Sequence, residues 1–437
     1  MNLKVFDRLE SEVRGYIRSF PTLFHKARGS KLFDEEGNVY IDFFSGAGTL
    51  NYGHNNPVIK QDMLDYLEAD GIIHGLDMAT KAKKELLEAL DRIILKPRGL
   101  SYKVQFPGPT GTNAVEAALK LARQIKGRST VVSFTRGFHG VTGGALATTA
   151  NAKYRDAAGV SLSNTAFMPY DGYFGDGVDT TEYLERMVAD RSSGIDHPAA
   201  VIVETVQGEG GINVASTTWL RALEQVCRRN DMLLIVDDIQ MGCGRTGSFF
   251  SFEESGISPD IITLSKSISG IGLPMALVLM KPELDVWSPG AHNGTFRGNN
   301  LAFVTARAAL MHFWSDDAFQ QSVRRKGVVM RNWLEHIAAD YPEGKFTVRG
   351  CGMVQGLAAA DAALAAKIAA RCFEQGLVIE TSGADDVLKL LPALTIDERL
   401  LCKGLDIIEE SVAHVLSVQR VQGTDRKVKY INFRAAR

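Results

Sequence analysis

Asp237 and Lys266 each close an apolar run. Leu233-Leu234-Ile235-Val236 leads into Asp237-Asp238, and Ile261-Ile262-Thr263-Leu264-Ser265 leads into Lys266. Such runs predict buried strands of a parallel sheet, and those strands open their carboxyl ends onto a ligand crevice. An amine and a carboxylate delivered there suit pyridoxal phosphate (PLP). The amine makes a Schiff base, and the carboxylate keeps the pyridine nitrogen protonated so that the ring takes up electrons. Position alone leaves the alternative open: a lysine at a strand end is by default a solvated surface residue, and the chain has 49 Lys and Arg.

Two further stretches could complete such a site. Thr110-Gly111-Thr112-Asn113-Ala114-Val115-Glu116 precedes an amphipathic helix, and Asn113 with Glu116 fits a capping-box start. The free N–H groups and dipole of a helix start favour a phosphate, although an ordinary capped helix reads the same way. No Gly-Lys-Ser/Thr follows and this stretch lacks GxGxxG, which argues against its being a nucleotide loop. Phe138-His139-Gly140 follows the run 130–134, where an aromatic ring could stack on a flat cofactor or simply pack in the core.

The elements that must position these residues follow from periodicity. Strand-like runs at 103–106, 130–134, 199–204, 233–236, 261–264 and 276–280 alternate with helical spacing at 80–95, 114–125, 218–230 and 301–314. This alternation predicts an α/β chain whose large domain, 49–320, has a mostly parallel sheet covered on both faces. A smaller α+β domain is expected from 1–48 together with 321–418. It contains a hairpin at 31–43 and, later, helices at 321–341, 362–375 and 397–416 with strands at 346–348, 353–358, 378–380 and 387–391. Apolar residues of 1–20 recur every three to four positions, the spacing of an amphipathic helix. Residues 419–437 read as a basic, mobile tail.

A formal net charge of −2 argues against nucleic acid or an anionic membrane as the main partner. Five scattered cysteines without a CxxC pair fit a reducing cytoplasm, and nine histidines without close ligand spacing make a metal site unexpected. No apolar stretch reaches membrane-spanning length, and the first twenty residues lack a signal-peptide core.

From about residue 5 to 416 the chain resembles the class III (ω-type) aminotransferases of PLP-dependent fold type I. The motifs are Phe43-Phe44-Ser45-Gly46-Ala47-Gly48 with Gly53-His54; Thr110–Ala118; Phe138-His139-Gly140; Glu204 with Gln207–Gly211; Val236–Gln240; Gly244–Gly247; Ser265-Lys266; and Gly294–Asn299. The resemblance implies a seven-stranded large-domain sheet and places the Schiff-base lysine on Lys266 and the pyridine partner on Asp237. It places the ring-facing residue on Ile239, the ring-hydroxyl donor on Gln240, the phosphate cup on Gly111 and Thr112, and the stacking aromatic on Phe138 beside His139. Thr295 matches a threonine that reaches the neighbouring subunit's phosphate, so a homodimer with shared sites is implied.

Stretches around 108–110, 265–270 and 293–300 resemble the branch that serves ectoine biosynthesis. That branch moves the amino group of L-glutamate to L-aspartate 4-semialdehyde, giving 2-oxoglutarate and L-2,4-diaminobutyrate. Another ω-amino acid transaminase (for ornithine, 4-aminobutyrate or a siderophore precursor) or a PLP aminomutase would share the cofactor residues. The chain departs from the family at two places. Asp237-Asp238 replaces an Asp-Glu pair, and Lys389 stands where many relatives carry a carboxylate-binding arginine, losing the bidentate fork. In relatives the residue at the Glu209 position masks that cation for one half-reaction and frees it for the other.

Overall fold

The computed structural model describes residues 3–175 and 177–417; the expected basic tail lies outside them. A seven-stranded sheet forms the centre of the larger layer arrangement. Across it the strands run Lys103–Gln105, Leu277–Met280, Ile261–Leu264, Leu233–Asp237, Ala200–Val203, Val131–Phe134 and Thr165–Met168. The pairings from Ile261–Leu264 onward are parallel, while Leu277–Met280 runs antiparallel to both its neighbours. The four central strands are buried at every position, as expected for apolar runs covered on both faces. One cluster of apolar side chains packs on each face of this sheet.

The edge strand Thr165–Met168 is absent from the sequence reading. Three of its four residues are only partly buried, so it lacks the continuous apolar signal of its neighbours. The helices Thr217–Arg229 and Asn300–Phe313 start at Ser216 and Asn299, whose side chains accept from Trp219 and Ala302 N–H.

A second core gathers around the long helix Ala318–Asp340 and the helix Glu398–Val415. Beside it lies an antiparallel sheet ordered Thr347–Cys351, Val354–Ala358, Val387–Leu390 and Glu380–Ser382. The hairpin of Lys31–Asp34 and Val39–Asp42 is present. It gains Phe24–Arg28 on one side and pairs in parallel with Leu377–Val378 on the other.

The amphipathic spacing of residues 1–20 does not produce one helix. Two short helices form, Lys4–Leu9 and Tyr16–Ser19, and neither buries a residue. Leu9 and Val13 are 72% and 90% exposed, and only the end of the stripe, Tyr16 and Phe20, packs on Phe44 and Phe373. Between the helices the Arg14 guanidinium takes up the Glu10 and Ser11 carbonyls.

Candidate active site

Asp237 and Lys266 emerge at the carboxyl ends of adjacent parallel strands, with Asp237 in register with Thr263. The Asp237 carboxylate is fixed from three sides. Its Oδ2 lies 2.7 Å from His139 Nδ1, and its Oδ1 accepts from the Thr263 hydroxyl and the Ile239 N–H, each at 3.2 Å. His139 is buried. Burial lowers its pKa, but the hydrogen bond and charge of Asp237 outweigh that, and the net direction is upward.

Lys266 begins a short 3-10 turn, Lys266–Ser269, with a left-handed φ of 52°. A non-glycine residue adopts that backbone only at a cost. The turn is held by Ser265, whose hydroxyl donates to the Met275 carbonyl, and by Ser267, whose hydroxyl donates to the Gly48 carbonyl. Burial pushes the Lys266 pKa down; Glu209 works against that shift.

One cavity of about 250 Å³ brings together Lys266, Asp237, His139, Gly111, Thr112, Phe138, Ile239, Gln240 and Glu209. A second hollow of about 410 Å³ shares Phe138 and Glu209 with it and is lined further out by Arg136, Tyr154 and Arg349. Two sequence-predicted residues line neither. Thr295 sits exposed on the short turn Thr295–Gly298, and Lys389 is sealed behind Glu209 on the strand Val387–Leu390.

The phosphate end differs in detail from the capping expectation. The helix spans Gly111–Lys126, and its N-cap is Thr110, whose hydroxyl accepts from Asn113 N–H. Glu116 instead accepts from the Thr142 hydroxyl and Ala145 N–H. Starting the helix earlier puts the N–H groups of Gly111 and Thr112 in its first turn, where no intrahelical partner exists. A Cβ on Gly111 would press on Ile239 at 3.0 Å, so glycine keeps the cradle open.

Gln240 lines the same cavity and is engaged by its neighbours. Its Nε2 donates to the Ala47 carbonyl at 3.0 Å and to Glu209 at 3.1 Å, so both donors are used. Its Oε1 is buried without a partner among the described residues. The Ala47 carbonyl is presented by four successive left-handed residues, Ser45 to Gly48.

Three site residues had no role assigned from sequence: Glu204, named only within a motif, and Tyr154 and Glu380, not named as site residues at all. Glu204 accepts from Phe138 N–H at 2.9 Å and Gly208 N–H at 3.3 Å, tying both loops together. Burial raises its pKa to about 7. As an acid closing an apolar run it carried the same signal as Asp237. Tyr154 packs edge-on against Phe138, with ring centres 5.2 Å apart. Glu380, paired in register with Lys389 across two strands, brings its carboxylate within 2.9 Å of the Lys389 ammonium. Lys389 also donates to Glu209 at 2.6 Å. Burial opposes the charge on Lys389, but Glu209 and then Glu380 outweigh it and the pKa is raised. In return Glu209, which burial alone would push up, is held at about 2 by Lys389.

Asp238, the shortened member of the acidic pair, is fully buried and accepts from Ser251 N–H at 3.1 Å. Burial pushes its pKa up to about 7.

These residues fit PLP. A carboxylate clamped by an imidazole suits the pyridinium nitrogen, a helix start with open N–H groups suits the phosphate, and Lys266 opens into the same cavity. Among the described residues no His, Cys, Asp and Glu group could hold a metal ion. The same residues include no helix long and apolar enough to cross a membrane.

The class-III aminotransferase family model matches residues 15–412. A Bordetella parapertussis protein named diaminobutyrate–2-oxoglutarate transaminase is 70% identical over 422 residues, covering 96% of this chain and 97% of that one. The protein of the same name from Halomonas elongata is 58% identical over 421 residues, covering 95% and 100%. Among solved structures, ornithine aminotransferase from Toxoplasma gondii superposes with a TM-score of 0.83 at 24% identity, over 95% of each chain. An S-selective transaminase from Arthrobacter sp. gives 0.85 at 22% identity, over 95% and 98%.

Proposed function

The chain belongs to the class-III aminotransferases, a PLP-dependent family, and on that premise we propose that it transfers the amino group of L-glutamate to L-aspartate 4-semialdehyde. The products are 2-oxoglutarate and L-2,4-diaminobutyrate, and the reaction runs as two half-reactions on one site. The observation that carries this reading is the 70% identity, over nearly the whole chain, to a protein bearing that activity in its name. The branch-specific stretches at 108–110, 265–270 and 293–300 support a place in ectoine synthesis, and the five free cysteines fit a cytoplasmic enzyme.

Bound PLP supplies an electron sink for the pair left when the substrate carbon loses its proton. Lys266 would hold it and, as an amine whose pKa burial lowers, would move that proton as a general base. Asp237, held by His139, keeps the ring nitrogen protonated. Gly111 and Thr112 would present their first-turn N–H groups to the phosphate, and Ile239 and Phe138, which line the same cavity, would flank the ring. Thr295, exposed on its turn, serves the site of a second copy in a homodimer. Residues 49–320 form the domain that carries these groups. Residues 1–48 and 321–418 form the smaller one, an assignment supported by their separate apolar core.

Glu209 and Lys389 let one site take two kinds of substrate. With Glu209 on Lys389 the cation is masked, which suits the terminal amine of diaminobutyrate. With Glu209 withdrawn, Lys389 receives a carboxylate of glutamate. Holoenzyme given L-glutamate and L-aspartate 4-semialdehyde should release 2-oxoglutarate and diaminobutyrate in equal amounts. Glu209→Ala should harm the diaminobutyrate half-reaction far more than the glutamate one. Failure to form diaminobutyrate, with ornithine or 4-aminobutyrate turned over instead, would overturn the substrate assignment. Equal losses in both half-reactions would overturn the switch.

A further inference from the structure

Glu209, which lines both the inner cavity and the outer hollow, is held at one oxygen by two donors. Its Oε1 accepts from Lys389 Nζ at 2.6 Å and from Gln240 Nε2 at 3.1 Å. The Gln240 donor is itself fixed. Its side chain is buried, and Nε2 also donates to the Ala47 carbonyl at 3.0 Å. Both neighbours are acceptors, so the amide nitrogen faces them and Oε1 lies against Gly208. A Cβ on Gly208 would run into that Oε1 and would stand 2.9 Å from the tip of Met241. Gly208 has no left-handed φ, so what its glycine provides is the room that the Gln240 amide occupies.

The backbone around Glu209 is tied down. The Glu209 carbonyl accepts from Gly383 N–H at 2.9 Å, Gly208 N–H donates to Glu204 at 3.3 Å, and the Gly211 carbonyl accepts from Arg349 at 3.2 Å. Uncovering Lys389 therefore takes a rotation of the Glu209 side chain towards the hollow of about 410 Å³. That rotation breaks two hydrogen bonds of different character. Lysine, a point charge, accepts a substrate carboxylate from many directions, so the exchange at Lys389 is like for like. The Gln240 N–H is directional and is aimed at Glu209 by its other bond to Ala47. A carboxylate arriving on a substrate chain comes from another direction. The Gln240 bond is then the uncompensated loss on opening, and a buried donor that loses an ionised acceptor loses a strong bond.

We propose that Gln240 is the latch that holds Glu209 over Lys389, a positioning residue that sets which of the two substrate types the resting site favours. This rests on the two-substrate reading of Glu209 and Lys389 given above and adds the residue that governs it. Gly208 belongs to the same device, because a side chain there would displace the amide.

The probe is glutarate, which has both carboxylates of glutamate but no reacting amine, and so binds without turning over. Its binding to holoenzyme is measured by calorimetry. Glu209→Ala uncovers Lys389 and should tighten glutarate; no tightening would refute Lys389 as a carboxylate site, and the two-substrate reading with it. Gln240→Met keeps the length of the side chain but loses the donor. It should tighten glutarate roughly tenfold, as for loss of one hydrogen bond to a charged group. In the Glu209→Ala background the same substitution should add nothing. Gly208→Ala keeps the donor and displaces it, so folded Gly208→Ala holoenzyme should also bind glutarate more tightly. Both variants should gain in kcat/KM for glutamate and lose it for diaminobutyrate, a split that general damage to the site does not produce. Where Glu209→Ala tightens glutarate but Gln240→Met, or folded Gly208→Ala, leaves its binding unchanged or weaker, the latch is overturned and the two-substrate reading stands.

Discussion

Replacing Lys389 by methionine would leave Glu209 and Glu380 facing each other without their shared cation. The cost follows from the titration of Glu209, which burial would raise but Lys389 and then Lys266 hold at about 2 against an ordinary 4.5. At roughly 1.36 kcal/mol per pH unit that gap is worth about 3 kcal/mol of folding stability. This lies at the lower edge of the ~3–5 kcal/mol typical for breaking a buried ion pair. The sign with pH follows from linkage. A carboxylate held low in the fold stabilises fully above its ordinary value of 4.5, and loses that contribution as pH falls through about 2. In Lys389→Met the buried Glu380 and the partly buried Glu209 lose their shared cation, so the folded pKa of each rises from its wild-type position. They then destabilise at neutral pH and recover as acid protonates them. Denaturant unfolding of holoenzyme should therefore show the variant about 3 kcal/mol weaker near pH 8, with the gap narrowing near pH 5. A loss below about 1 kcal/mol near pH 8, or a gap that widens in acid, would refute the account of this corner.

Other positions give independent checks. Lys266→Ala and Lys266→Gly should both abolish transamination. The glycine variant should be the more stable by about 1 kcal/mol, because position 266 has a left-handed φ of 52°; equal stability in denaturant would remove the strain argument. Gly140 has φ +128°, and a Cβ there would collide with the Thr112 hydroxyl. Gly140→Ala should weaken PLP binding, read as a raised dissociation constant in a fluorescence titration, and unaltered binding would place the phosphate elsewhere. Asp237→Asn keeps the shape but loses the charge, so kcat should drop on the order of a hundredfold or more. Wild-type turnover would deny Asp237 its role.

Legibility differed by the kind of signal each residue carried. The central strands could be read because a strand covered on both faces is mostly apolar, and 131–134, 200–203, 233–236 and 261–264 are apolar but for Ser133 and Thr263. Thr165–Met168, half-buried at the edge, left no such trace. The helix at Gly111 was found, but its cap was placed three residues late. Thr110 and Asn113 are both good caps, and only the fold sends Glu116 to Thr142 and Ala145. The periodic stripe of residues 1–20 misled for the opposite reason: spacing predicts a helix only where a surface exists to bury its face.

By itself, then, the sequence determined the strands and the residue types at their carboxyl ends, because local apolar patterning is enough to specify a buried strand. That put an amine and a carboxylate at one edge of the sheet. The tertiary structure decided their company. His139 on Asp237, Glu204 under Phe138, and Glu380 beside Lys389 are contacts between segments from about 10 to about 100 residues apart. Such contacts depend on strand order and register, which no local pattern encodes. The pairing of Glu380 with Lys389 arises when two strands meet residue against residue, and it gives the buried cation a second carboxylate.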